Sequence, residues 1–290
     1  RESFAATIRR GEARLHRLCG LLCDRFFKQY EIGSVVIGEA DADQERFTLV
    51  QSLTEQELFD LTDLDLGNRQ LSKLRFLHED RWRQPNLVAN FVEYQPLELD
   101  THGIHRITSR IKAEEEIWNK VCDEIFDIDE LVQRDKQLAH LSRYVKDIFG
   151  LKVVTAESGQ VRRFHEEMGR IEFSADELSA MEVPYLEDTR RLEFVEVKDY
   201  LAGNESKRSG WKAIKSVVRW WGDTFEIQVQ PLRNYMQERE RLTRESHASF
   251  KTRRDSLRAQ ITSRIPLYGF YRDLLRWLFL RRQESSPTPP

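Results

Sequence analysis

Two short runs, Asp147-Ile-Phe-Gly-Leu-Lys-Val-Val154 and Phe225-Glu-Ile-Gln-Val-Gln230, constrain this chain more than any other feature. They lie about eighty residues apart, and each sets one carboxylate, Asp147 or Glu226, on an apolar, β-branched segment. Such segments are strand formers. Two strand-borne acids in a basic neighbourhood suit Mg²⁺, which binds through one or two carboxylates plus substrate phosphates.

The chain has 290 residues, 40% hydrophobic and 33% charged, enough for one large domain or two small ones with a buried core. Its net charge of −3 hides an uneven distribution. Glu39, Asp41, Asp43, Glu45, Glu55, Glu57, Asp60, Asp63 and Asp65 make one stretch acidic. Arginine dominates from Arg233 to Arg282, so an anionic partner fits the C-terminal half. Three cysteines argue against a disulfide framework, and Cys19 and Cys23 lack a second pair for zinc. No signal peptide is visible, and the run Leu274–Leu280, interrupted by Arg276, is too short to insert stably in a bilayer. A cytoplasmic location is expected.

Helical spacing of Leu15, Leu18, Leu22 and Phe26 predicts a helix from about Ser3 to Tyr30. Ser34–Ile37 reads as a short strand. Thr54-Glu-Gln-Glu57 has the form of a capping box opening a helix that Gly67 would end, and a third helix is expected from Arg69 to Trp82. Residues 1–95 are thus expected to form a mostly helical region, a candidate for regulation, whose acidic segment could cover a basic site. Gly103–Lys112 alternates, with Arg106, Thr108, Arg110 and Lys112 on an outer basic face. Helices follow at Ala113–Phe126 and Asp129–Tyr144, and strands at Leu192–Val197, Trp211–Trp220 and Thr224–Gln230. A helix runs from Arg233 to Ile261. Residues 263–290 close the chain as a basic amphipathic helix and a disordered tail. The fold class is α+β, a mixed sheet of about five strands flanked by helices.

In the last strand Glu226, Gln228 and Gln230 share one face and Phe225, Ile227 and Val229 the other. Strict alternation separates Asp147 from Lys152, so a strand end or bulge is needed for both to serve one site. Arg110, Lys112 and Lys120 are candidate phosphate donors; Lys120 is equally placed to pair with Glu116 on a helix. Lys207-Arg-Ser-Gly210 leads into Trp211, an arrangement suited to gripping a phosphate and stacking a base, or simply to a core tryptophan.

Taken in order, these pieces resemble the synthetase domain of RelA/SpoT-type alarmone synthetases over about residues 100–255. Arg110-Ile-Lys112 with Ile117 and Lys120 is similar to that family's ATP-holding RxK…Ixx(R/K)K element. Asp147-Ile-Phe-Gly-Leu-Lys152 is similar to its D-L-x-(G/A)-I-R strand, and Glu226-Ile-Gln228 to its E-I-Q strand. Lys198-Asp-Tyr200 and Lys207–Lys215 resemble K-D-Y…K-x-N-G-Y-x-S-L-H, and Met236, His247 and Lys251 fall at the spacing of M…H-W-x-Y-K. The resemblance implies a nucleotidyltransferase-like fold and a pyrophosphokinase that moves the β,γ-diphosphate of ATP to a ribose 3′-hydroxyl. Arg110, Lys112, Lys120 and Lys152 would hold ATP, and Asp147 and Glu226 would carry Mg²⁺ and catalysis. Lys207, Trp211, Lys215, Gln228 and His247 would line the acceptor side.

This sequence departs from the pattern at Lys152 (for arginine), Trp211 (for tyrosine), Lys215 (for histidine) and Glu116 (for a small hydroxyl residue). GDP or GTP is the expected acceptor. Adenine nucleotides or a tRNA 3′-CCA end, as in toxic members, stay open, as do a non-catalytic nucleotide- or RNA-binding module and homo-oligomerisation.

Overall fold

The structure, a computed structural model, describes residues 2–40, 46–78, 81–98, 103–111, 148–201 and 211–244, with residues 270 and 274. The helices expected at Ala113–Phe126, Asp129–Tyr144 and beyond Arg244, and the tail, lie outside that set, apart from a helical assignment at Phe270 and Leu274.

Helix α1 (Glu2–Phe26) is followed by β1 (Tyr30–Glu39), β2 (Arg46–Leu53), α2 (Glu55–Asp60) and α3 (Asp63–Leu71). An antiparallel pair, β3 (Phe76–His78) and β4 (Arg81–Arg83), precedes β5 (Asn86–Pro96) and β6 (Ile104–Ile111). Then come β7 (Phe149–Thr155), α4 (Ser158–Met168), α5 (Ala175–Ala180), α6 (Glu187–Arg190) and β8 (Glu193–Asp199). The described chain closes with β9 (Ile214–Trp220), β10 (Asp223–Pro231) and α7 (Leu232–Arg244).

Eight strands form one mixed sheet, in the order β2-β1-β5-β6-β7-β10-β9-β8. Neighbouring strands in it run antiparallel except β7 and β10, which run parallel. The architecture is α+β as expected, but with eight strands instead of about five. The first 95 residues are not mostly helical, because β1, β2 and β5 belong to that sheet. Arg69–Trp82 is not a helix either. Helix α3 ends at Leu71, and β3 and β4 occupy 76–78 and 81–83.

Leu15, Leu18, Leu22 and Phe26 of α1 are buried, and α1 packs on β6, β7 and β10. There it meets the apolar face of the sheet, including Phe149, Leu151, Val153, Phe225, Ile227 and Val229. Helix α4 joins that layer through Val161, Phe164 and Met168. The β9–β10 turn holds Trp221 (φ 50) and Gly222 (φ 74), both left-handed, as a two-residue hairpin whose twist matches the strands requires. Arg14 of α1 fastens that turn by pairing with Asp223 at 2.7 Å and lying 4.7 Å over the Trp221 ring. Among the described residues no helix is long and apolar enough to cross a membrane.

Candidate functional site on the polar face of the sheet

Period-2 alternation puts Arg106 and Arg110 of β6, Lys152 of β7, Lys215 and Arg219 of β9 and Glu226 of β10 on the face opposite α1 and α4. This basic face is not an outer one. Helix α7 lies against it, touching β10, β7 and β2, and Thr108 is buried.

The strand register gathers the candidates into two adjacent rows. One reads Arg110–Gly150–Glu226, and the next reads Thr108–Lys152–Gln228–Lys215. Five residues singled out in the sequence, Arg110, Lys152, Lys215, Glu226 and Gln228, therefore share one patch. Gly150 leaves the first row without a side chain between Arg110 and Glu226. Strands are spaced about 4.8 Å apart, so the Cα atoms of Arg110 and Glu226 stand roughly 10 Å from each other across that gap. Among the described residues, a Cβ at Gly150 would have one atom within 4 Å, the Arg110 carbonyl oxygen at 3.5 Å.

Glu226 is 9% exposed. Its Oε2 pairs with Lys215 Nζ at 2.5 Å, and its Oε1 accepts from Gln228 Nε2 at 2.5 Å. At the other end of the row, the Arg110 guanidinium lies 5.9 Å from the Phe91 ring centroid, and Arg239 of α7 lies 5.1 Å from the same ring. The patch thus runs from a bound carboxylate to a pair of guanidiniums.

Two carboxylates at the site escaped the sequence reading. Glu238 of α7 accepts hydrogen bonds from Lys152 Nζ (2.6 Å), Trp211 Nε1 (2.6 Å) and Gln230 Nε2 (3.1 Å). Burial pushes the Glu238 pKa up, but the Lys152 charge and the three donors outweigh it and hold the carboxyl below its ordinary value. Trp211 is fixed by that bond and by the Tyr200 ring, 5.3 Å away and tilted 58°. Glu93 of β5 is 3% exposed and accepts from Arg106 Nη1 (2.8 Å), Tyr235 Oη (2.5 Å) and Gln95 Nε2 (3.2 Å). Its charge and the desolvation of the Tyr235 hydroxyl both raise that phenol's pKa, desolvation most. Nothing in the helical pattern of α7 separates Glu238 from Glu240, so only the fold reveals it. Glu93 sits at a position where an apolar strand would predict a hydrophobic residue, and that mismatch was its one visible signal.

Lys112, Lys120, Asp147, Lys207 and His247 lie outside the described residues. The structure describes one of the two acids, Glu226, together with Arg110, Lys152, Trp211, Lys215 and Gln228.

Neither a family model nor a curated protein matches the chain. Among solved structures it is similar to the small alarmone synthetase 1 from Bacillus subtilis, at 17% identity and a TM-score of 0.29, over 57% of this chain and 82% of that one. The same synthetase bound to its product pppGpp gives 18% identity and a TM-score of 0.28, over 55% and 78%. A GTP pyrophosphokinase family protein from Streptococcus pneumoniae gives 17% and 0.32, over 60% and 72%. Likenesses of this size leave the family unassigned.

Proposed function

We propose that this polar face is the substrate bed of an ATP-dependent pyrophosphokinase of the RelA/SpoT-like kind. The observation that carries the reading is the Arg110–Gly150–Glu226 row: a cation and a buried carboxylate face each other across a strand position without a side chain. A bed of that form takes a polyphosphate at the arginine end and a hydroxyl at the carboxylate end.

In this reading Arg110 and Lys152, with Lys112 and Lys120, hold the ATP phosphates through charge-assisted hydrogen bonds. Trp211, Lys207, Lys215, Gln228 and His247 hold the acceptor, GDP or GTP. The ribose 3′-oxygen attacks the β-phosphorus as the bond to the α–β bridging oxygen breaks, and AMP leaves. Glu226 takes the hydroxyl proton. Catalysis of this type is mostly positioning and electrostatic stabilisation.

Each Glu226 oxygen accepts one hydrogen bond and keeps a further lone pair, which fits a Mg²⁺ ion whose other oxygens come from phosphates. Asp147 is the second ligand in this proposal. The ion would neutralise phosphate charge when bound.

The test is transfer of label from γ-³²P-ATP to GDP, GTP, AMP, ADP and deacylated tRNA in parallel, with Glu226→Gln as control. A labelled product lost in the control supports the reading and names the acceptor, tRNA and adenine nucleotides included.

The Lys215–Glu226 ion pair favours a second reading. A carboxylate already neutralised by a lysine suits a module that binds nucleotide without reacting it. ATP binding that ignores Mg²⁺, with no transfer to any acceptor, would select that reading.

A further inference from the structure

On the opposite side of the sheet, where α1 meets α3, three ionisable side chains are buried together and take no part in the proposed reaction. Glu12 and His16 lie one turn apart on α1, and Asp63 is the first residue of α3. They are 6%, 2% and 3% exposed. One ligand atom from each, all within 4.8 Å of one another, makes a group able to hold an ion.

We propose that Glu12, His16 and Asp63 bind a divalent transition-metal ion, a site separate from the polar face. Four observations carry this. The spacing is the first: ligands about 2.0–2.2 Å from a common ion lie within roughly 4 Å of each other, so small inward shifts close the shell. The donor set is the second. An imidazole with two carboxylates suits Zn²⁺, Mn²⁺, Fe²⁺ or Co²⁺, whereas Ca²⁺ and Mg²⁺ prefer oxygen alone.

The third is the support around the ring. Tyr94 Oη is 2.9 Å from His16 Nδ1 and Asp63 Oδ1 is 2.9 Å from Nε2, so a ring that donates Nδ1–H to Tyr94 leaves Nε2 as a ligand for an ion shared with Asp63, in place of the direct His16–Asp63 hydrogen bond. Metal-binding histidines are held this way through their second nitrogen. Asp63 is placed as firmly, because its amide donates to Glu12 Oε1 at 2.5 Å and its carbonyl accepts from Asn90 Nδ2 at 2.6 Å.

The fourth is an orphan. Asp63 Oδ2 is buried and has no hydrogen-bond partner among the described residues, an arrangement that native interiors avoid unless something else satisfies the oxygen. A cavity of about 250 Å³ adjoins the cluster, lined by Arg9, Glu12, His16, Phe59, Thr62 and Asp65 among others. It leaves room for waters to complete the coordination. Three protein ligands with an open side is the layout of an exchangeable site, not a closed structural one.

The experiment is Co²⁺ titration of the untagged, chelator-treated full chain, read by visible absorption and by metal analysis after desalting. One equivalent should bind, and Glu226→Gln should bind it equally. Asp63→Asn should lose it, and Tyr94→Phe should weaken it about 10–100-fold by freeing the ring. Wild-type protein that retains no Co²⁺ overturns the proposal, as does an equivalent retained by folded Asp63→Asn. If Asp63→Asn fails to fold, Glu12→Gln replaces it and is read the same way. Because Glu226→Gln leaves this site intact, failure here and failure of the pyrophosphokinase reading are distinguishable.

Discussion

Lys152 of β7 and Glu238 of α7 meet at 2.6 Å across the polar face, each about one quarter exposed. That contact, with those from Trp211 and Gln230 to the same carboxylate, fastens α7 to the sheet at the edge of the candidate bed. Both Lys152 and Trp211 would thus be oriented by a residue that touches no substrate.

Replacing Glu238 by Gln should cost about 1–3 kcal/mol at neutral pH, since Lys152 loses its counter-charge in a half-buried setting. The Glu238 pKa is depressed in the folded state, so its contribution is present above the unfolded carboxylate value and lost as pH falls through the lower folded value. Urea unfolding measured from pH 7 down to acid should show that loss in the wild type and less of it in the variant. Equal acid limbs would count against the arrangement.

Lys215→Met removes the cation from Glu226 and should make ATP binding more dependent on Mg²⁺. Calorimetric titration with and without Mg²⁺ reads this directly. A variant no more dependent on Mg²⁺ than the wild type would show that Glu226 does not meet the ion.

Gly11→Ala should destabilise the protein despite favouring the helix. Alanine gains about 1 kcal/mol in propensity at a helical glycine. Its Cβ, however, would fall 2.2 Å from the Phe149 ring in the core, and overpacking costs about 1–3 kcal/mol. Thermal unfolding should show a lower midpoint; a higher one would mean that Phe149 yields freely.

The capping box at Thr54–Glu57 and the strand carrying Glu226 were legible because local rules set them: both arms of the box form, and the strand alternates in sequence as it does in space. The rule that found Thr54 applies equally to Ser174 and Glu177, whose box opens α5. Strand β5 was hidden because Ala89 and Phe91 through Tyr94 are buried in a strand covered on both faces, so no period of two survives. Gly67, expected to end a helix, sits inside α3 instead. A Cβ there would come within 3.3 Å of Leu87, so close packing on β5 explains the glycine. The shared face of Glu226, Gln228 and Gln230 was legible because a strand carries it. Glu238 was not, because its role depends on how α7 lies across the sheet, which no local pattern encodes.

The most direct test of the pyrophosphokinase reading combines label transfer from γ-³²P-ATP with Gly150→Val. Valine favours a strand, and among the described residues a Cβ at Gly150 meets nothing closer than 3.5 Å, so the variant should fold while its side chain enters the bed. Wild-type protein should transfer label to one acceptor. Gly150→Val and Glu226→Gln should each lose it by roughly 10²-fold or more, the scale of removing one transition-state contact, with Gly150→Val keeping the wild-type melting temperature. Transfer undiminished in Gly150→Val, or none by the wild type to any acceptor, would contradict the account.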